Sequence, residues 1–334
     1  MESNAFSELD LALLNALQVD PRAEWSRMAA ALGVQPATLA RHWEGIRARG
    51  LAWIALTAGH RYEQVASSAF VRVGCAAEDR AALTEALAEE PEAATVAATM
   101  GSHQFLLDVL VPDLTTLRGY LDERLPRLPG VRDIDSLLIT RVYRAGTQWR
   151  LGTLDPDQLR HLHRGPDTWA SPFAVDDVDR ALIAELTRDG RAGWAALGAA
   201  TGISAPTARR RITRMIRADV IELRCEVAQP IVGPAVQVTF LMRVPGDRLD
   251  AAGGVLGAMP RCRLAAAVAG PQNLLATLWL STAADINRVE RTVLGQVPGL
   301  EVHDRIVHLR AVKRVGHVLD TEEASRRVVP LAVW

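Results

Sequence analysis

Lysine is all but missing from this chain. Lys313 is the only one in 334 residues, so nearly all the positive charge is arginine. Such a bias follows from a GC-rich genome as readily as from selection for recognition, so a bare count of arginines carries no argument. Cysteine is scarce too. Cys75, Cys225 and Cys262 are widely spaced, odd in number and lack a C-x-x-C, which reads as reduced, mostly buried thiols rather than a disulfide framework or a metal site. No apolar run reaches the roughly 18 residues of a membrane span, and the opening Met-Glu-Ser-Asn has neither the basic nor the apolar region of a signal peptide. A cytoplasmic protein with no membrane partner is expected. The formal net charge of −1 leaves no global pull towards nucleic acid, so any such affinity must come from a local patch. There is no phosphate-binding glycine loop, no H-E-x-x-H and no metal-spaced Cys/His set, so neither a catalytic residue nor a cofactor or metal is expected. His161-x-His163 reads as surface, and Asp176, Asp177 and Asp179 as carboxylates opening a helix, where its dipole favours them.

With 49% hydrophobic and 23% charged residues, this is an ordinary globular composition, long enough for roughly two domains of about 150 residues. The chain is a duplicate of itself. An offset of 169 residues aligns Asp10 with Asp179, Leu17 with Leu186, Arg22 with Arg191, Trp25 with Trp194, Gly33 with Gly202 and Arg41 with Arg210. Without a gap, the same offset places Pro91 on Pro260, Gly101 on Gly270 and Pro129-Gly130 on Pro298-Gly299. Each copy opens with three helical segments, the second and third separated by Gly33 or Gly202, which is the helix-turn-helix arrangement. Each then alternates strands and helices in the order β-α-β-β-α-β, which is ferredoxin-like. The fold class is therefore α+β, two tandem modules, each a helix-turn-helix (winged-helix-like) domain followed by a ferredoxin-like domain. The expected borders are 1–55 and 64–145 for the first copy, 146–174 for a linker with one short helix at Pro156–Leu162, 175–224 and 233–315 for the second copy, and 316–334 for a C-terminal packing arm.

The stretch Ser204–Arg217 holds five arginines and no acid. As a helix it places Ala208, Ile212 and Met215 on one apolar stripe, with Thr207, Arg210, Arg211 and Arg214 on a neighbouring face. Guanidinium groups in that position suit guanine edges or phosphates in a major groove. The plain alternative is a solvated basic face. The matching helix of the first copy has Gln35, His42, Trp43 and Gly45 where the second has Ser204, Arg211, Ile212 and Arg214. Its window sums to +1 against +5, so it reads as a weak or purely structural partner.

Asp179-Arg-Ala-Leu-Ile-Ala-Glu-Leu-Thr-Arg-Asp-Gly-Arg191, Gly202-Ile-Ser-Ala-Pro-Thr-Ala-Arg-Arg-Arg-Ile-Thr-Arg-Met215 and the Leu128-Pro-Gly-Val131 and Val297-Pro-Gly-Leu300 turns together resemble the leucine-responsive/AsnC (feast/famine) family of bacterial transcription regulators. The fused double module is similar to an actinobacterial variant of it. The resemblance implies double-stranded DNA as partner, with Ser204, Thr207, Arg209, Arg210, Arg211 and Arg214 as the reading residues and Thr38, Arg41 and His42 as their counterparts. It also implies an amino-acid-like effector held beside a Gly-x-x-Asp turn. Here those turns are Gly101-Ser-His-Gln104 and Gly270-Pro-Gln-Asn273, with an amide in place of each carboxylate; ordinary hairpin turns are the other reading. Homo-oligomers built from intramolecular pseudo-dimers are expected. The sirohaem decarboxylases share this double architecture and supply an enzyme alternative, in which His60 or His103 would face a tetrapyrrole.

Overall fold

A computed structural model describes residues 6–59, 67–162, 174–233 and 236–334 of the chain. The first copy runs α1 (Glu8–Val19), α2 (Trp25–Leu32), α3 (Pro36–Ala48), β1 (Ala52–Ala58), β2 (Ser67–Cys75), α4 (Arg80–Glu89), β3 (Ala93–Thr99), β4 (Phe105–Val111), α5 (Leu114–Gly119) and β5 (Val131–Arg144). The connection carries α6 (Pro156–Leu162), the short helix expected there. The second copy runs α7 (Asp177–Arg188), α8 (Trp194–Thr201), α9 (Ala205–Arg217), β6 (Ile221–Val227), α10 (Gln229–Val232), β7 (Val236–Arg243), α11 (Leu249–Ala258), β8 (Cys262–Ala269), β9 (Leu274–Leu280), α12 (Ala284–Gln296) and β10 (Glu301–Arg314). The arm adds β11 (His317–Leu319) and β12 (Ser325–Val328). The offset of 169 carries α1, α2, α3, β1, α4 and β4 onto their counterparts residue for residue. The copies part at α5, which passes through a π-turn at Tyr120–Arg124 and a short 3₁₀ turn containing Pro126, where α12 continues unbroken. Proline has no N–H to extend the ladder, so the first helix ends loosely there.

Each helix-turn-helix is built in the same way. Ser7 and Asp10 close a capping box on α1, and Asp176 and Asp179 close the same box on α7, so these acids cap helices as expected. Gly33 and Gly202 end α2 and α8 in the left-handed region at φ +68° and +70°, which a glycine enters without a Cβ penalty.

Two interfaces join the copies. β1 and β6 form a two-stranded antiparallel ribbon in which Ala55 faces Arg224, its own counterpart, so the internal two-fold axis passes between them. This ribbon was not anticipated, and it carries β1 to Ala58 and β6 to Val227, across the borders expected at 55 and 224. Beside it, Arg22 donates to the carbonyls of Gly190 (2.6 Å) and Ala192 (2.8 Å) and lies 4.0 Å over the Trp194 ring. Reciprocally, Arg191 donates to Pro21 (2.6 Å) and Ala23 (3.0 Å) and lies 4.0 Å over Trp25. Burial lowers the Arg22 guanidinium to about 10, which still leaves it charged at neutral pH.

The second interface is a closed barrel. The two ferredoxin-like sheets, ordered β3-β4-β2-β5 and β8-β9-β7-β10, join edge to edge through β5–β8 and β10–β3. Alternation along the strands sends Val71, Leu107 and Val109 outward onto Leu83, Leu87 and Leu117 of α4 and α5, while Phe70, Leu106 and Leu137 meet Leu241, Leu275 and Ile306 of the other sheet inside. The sheet faces that a lone module would leave bare are thereby covered. Leu331 and Val333 of the arm are buried in the core that also holds both helix-turn-helix domains, as a packing arm requires.

Candidate nucleic-acid interface

Helix α9 begins at Ser204, whose Oγ accepts from the Thr207 amide and lies 2.9 Å from the Thr207 hydroxyl, with Pro206 in the first turn, where its missing N–H is harmless. Ala208, Ile212 and Met215 are wholly buried, the stripe expected from the sequence. On the opposite side Arg209, Arg210, Arg214 and Arg217 are exposed and, with Pro206 and Thr213, edge an open groove. Arg217, in the last turn, was not among the expected reading residues, although the same spacing would have included it.

Arg211 is placed differently. Its Nη1 donates to Asp176 at 2.9 Å and to Asp179 at 2.9 Å, the capping acids of α7, and the Asp179 side chain has no exposure at all. Those two carboxylates raise the Arg211 guanidinium above its ordinary value. On Asp176 the backbone amide of Asp179, and then Arg211, hold the carboxyl low. In the first copy His42 occupies the same position and its Nδ1 lies 2.7 Å from Asp10. Burial acts to raise the Asp10 carboxyl, but the bonds from His42 and Ser7 outweigh it and hold it low. Position 42/211 thus ties the third helix to the first in both copies. Arg214 lies 3.6 Å from Asp179 but remains half exposed towards solvent.

Helix α3 presents much less. Gln35 makes no side-chain capping bond, Thr38 is half-buried, Trp43 is buried, and Gly45 stands where α9 has Arg214. Arg41 is exposed, but Arg47 is paired with Glu44 at 2.9 Å. The surface charge of the two helices is as unequal as the sequence implied.

The two glycine turns share one hydrogen bond and differ in another. Gln104 accepts from the Cys75 amide (2.8 Å) and donates to the Gly101 carbonyl (3.1 Å). Asn273 accepts from the Val244 amide (2.9 Å) and donates to the Val244 carbonyl (2.8 Å). Gly101 sits at φ +113° and Gly270 at φ +157°, a conformation that suits glycine. The amides expected to meet an effector bond the backbone at the ends of β2 and β7. His103 is in the same turn, 2.8 Å from Asp133, and His60 and His163 lie outside the described residues.

A model of the AsnC-type helix-turn-helix domain matches the chain twice, at residues 6–43 and 175–216, and a model of the Lrp/AsnC ligand binding domain matches residues 68–149. The chain carries two AsnC-type helix-turn-helix domains and an Lrp/AsnC ligand binding domain. Among similar proteins, an uncharacterized HTH-type transcriptional regulator of Pyrococcus abyssi is 28% identical over 145 residues, covering 42% of this chain and 89% of the relative. An HTH-type transcriptional regulator of Mycobacterium tuberculosis is 40% identical over 48 residues, 14% of this chain and 32% of the relative. In overall fold the chain also resembles the siroheme decarboxylase NirDL, with a TM-score of 0.60 at 14% identity over 92% of this chain and 93% of the other. That likeness concerns the fold alone. Among the described residues no helix is long and apolar enough to cross a membrane.

Proposed function

We propose that this chain is a sequence-specific, DNA-binding transcription regulator of the Lrp/AsnC type in which α9 carries most of the contact with the duplex. The observation behind this reading is the row of Arg209, Arg210, Arg214 and Arg217, exposed on one side of a helix whose other side is packed into a family-type helix-turn-helix. Each phosphate neutralised gives a salt slope of about −0.9, and each base-edge contact adds roughly 1–3 kcal/mol of discrimination. Helix α3, on which Arg41 is exposed, contributes the weaker half-site. Because one chain holds both halves of a pseudo-dimer, the assembly is a monomer of that kind or a closed group of two to four chains. Selection of bound fragments from genomic DNA by the purified protein, followed by footprinting, tests the reading. One strongly protected half-site with a faint second is expected; failure to enrich any fragment, or two equal half-sites about 34 Å apart, contradicts it.

The decarboxylase alternative rests on the whole-chain likeness in fold to NirDL. Two features favour the regulator. The basic face of α9 serves no purpose in a decarboxylase, and the cavity between the two sheets measures about 120 Å³, whereas even drug-sized ligands occupy about 300–1,000 Å³. A spectral titration with an iron tetrapyrrole separates the two: absence of a Soret shift is expected, and a saturable shift would overturn the assignment.

A further inference from the structure

The second copy contributes more polar side chains to the barrel's interior than the first. Phe70, Ala94 and Ile139 of the first copy correspond, at the offset of 169, to Thr239, Arg263 and His308 of the second, and Ala55 corresponds to Arg224. Two exceptions run the other way, since Asp108 stands where the second copy has Thr277 and Thr95 where it has Leu264. These departures from the repeat converge on one cavity of about 120 Å³, walled by Phe70, Leu106, Leu264 and Trp279 and faced by Asp108 and Arg224, with Arg263 and Arg314 beside them.

Most of the charges there already have partners. Arg263 donates to both oxygens of Glu226 (2.8 and 2.6 Å) and lies 4.7 Å over the Trp279 ring; Arg314 donates to Glu323 (2.8 Å) and to the Val227 carbonyl (3.0 Å). His308 bonds Thr239 (2.9 Å), which bonds Thr277 (2.8 Å). Two groups stand apart. Arg224 touches Glu226 through Nε, but among the described residues nothing accepts a hydrogen bond from its Nη groups, and Nη1 is pressed so close to Gly146 that a Cβ there would lie 2.6 Å away. Asp108 has no hydrogen-bond partner among the described residues. Three guanidiniums face the two carboxylates of Glu226 and Glu323, a formal excess of one positive charge for Asp108 or a ligand to balance.

We propose that this cavity binds a small monocarboxylate with a short apolar tail, its carboxylate taken by the Nη groups of Arg224 and its tail lying against Phe70, Leu106 and Leu264, with Asp108 taking up a proton as the anion enters. The size follows by comparison with a cavity of about 150 Å³ that takes benzene, which leaves room for about five heavy atoms. Burial, opposed by Arg224, pushes the Asp108 carboxyl up to about 6, so the proton is available near neutrality. The other facing groups keep their states: burial holds His308 down at about 4 and neutral, while Arg224 and Arg263, overcoming burial, hold Glu226 at about 2 and ionised. Binding itself does not depend on the DNA-binding reading. Its regulatory consequence does, because Arg224 lies at the centre of the β1–β6 ribbon that joins the two DNA-reading domains.

Calorimetric titration of the full chain without DNA, using propionate, alanine and ethylamine, tests the proposal. Propionate is expected to bind, with affinity falling about tenfold per unit as pH rises above about 6. Asp108→Asn should keep propionate binding and lose that pH dependence. Arg224→Met, which leaves Arg263 on Glu226, should weaken it more than tenfold, and Ala97→Leu, which fills the cavity, should abolish it while the near-ultraviolet dichroism shows the fold intact. No heat from propionate at tens of millimolar, binding of alanine in preference to propionate, or an unchanged pH profile in Asp108→Asn would each overturn it. Loss of DNA binding with propionate binding retained would count against the regulator reading alone.

Discussion

Arg211 and Arg210 are neighbours in sequence, yet the structure gives them different work, and substituting each separates the two roles. Removing Arg211 takes away the donor that bridges Asp176 and Asp179, leaving the fully buried Asp179 carboxylate with Arg214 at 3.6 Å and the bonds of its capping box. Stripping a charged partner from a buried acceptor costs about 1–3 kcal/mol. At about 2–4 °C per kcal/mol for a domain of this size, Arg211→Ala should melt roughly 2–12 °C below the wild type. Arg210 touches none of these acids and faces outward. Arg210→Ala should melt like the wild type and bind the selected DNA fragment about 5- to 150-fold more weakly if the contact is to a base, or lose about 0.9 from the salt slope if it is to a phosphate. Differential scanning fluorimetry and fluorescence anisotropy at three salt concentrations measure both quantities. If Arg211→Ala melted with the wild type and lost as much DNA affinity as Arg210→Ala, the placement of Arg211 as a tie between α9 and α7 would be wrong.

Three further outcomes follow from the packing. Arg22→Ala and Arg191→Ala, each losing two charge-assisted bonds and a ring contact across the axis, should destabilise by similar amounts of about 2–4 kcal/mol in chemical denaturation, and a large inequality would count against the two-fold clamp. Glu226, held at about 2 in the fold because Arg224 and Arg263 outweigh its burial, contributes stability that is complete above the ordinary glutamate value of about 4.5 and disappears as pH falls towards 2; Glu226→Gln should flatten that acid limb of the stability curve. Lys313 is wholly buried, donates to the carbonyls of Ala88 (3.1 Å) and Glu90 (2.6 Å), and is lowered by burial to about 8, so the folded chain releases this proton before the unfolded one does. Wild-type stability should therefore gain between about pH 8 and 10.5 relative to Lys313→Met, which should itself be less stable at neutral pH for want of a donor to those carbonyls.

Much of the architecture was legible because it depends on local signals repeated twice. The left-handed glycines at 33 and 202, the capping acids and the apolar stripe of α9 each follow from spacing alone, and the repeat tested every assignment against a second copy. What remained hidden depends on pairing at long range. Ala52–Ala58 is apolar at every position but Thr57 and shows no alternation, so a two-period search passes over it, and although Ile221–Val227 does alternate, nothing local names the strand it pairs with. The tie from Arg211 to Asp179 spans two helices and looks like another exposed arginine until the bond is seen. Gln104 and Asn273 were legible as turn residues but not as amides satisfied by the backbone, since either use puts a polar side chain after a glycine.

The repeat held more information in its mismatches than in its matches. Matches at Arg22/Arg191 and Trp25/Trp194 turn out to be the clamp across the axis, and at the glycine turns Gln104 and Asn273 tie each hairpin to the end of β2 or β7. In a dimer of identical chains, a substitution at the axis alters both halves at once, so a cavity of mixed polarity would have to be self-complementary. Fusion removes that constraint. Gly45 opposite Arg214, Phe70 opposite Thr239, Ile139 opposite His308 and Asp108 opposite Thr277 are changes that one half could make while the other kept the fold. Those on the third helices leave one basic reading surface, and those on the inner strands leave one polar cavity. A position where the two copies differ in charge on an otherwise matched element is therefore where this chain has room for function, and both candidate sites lie on such positions.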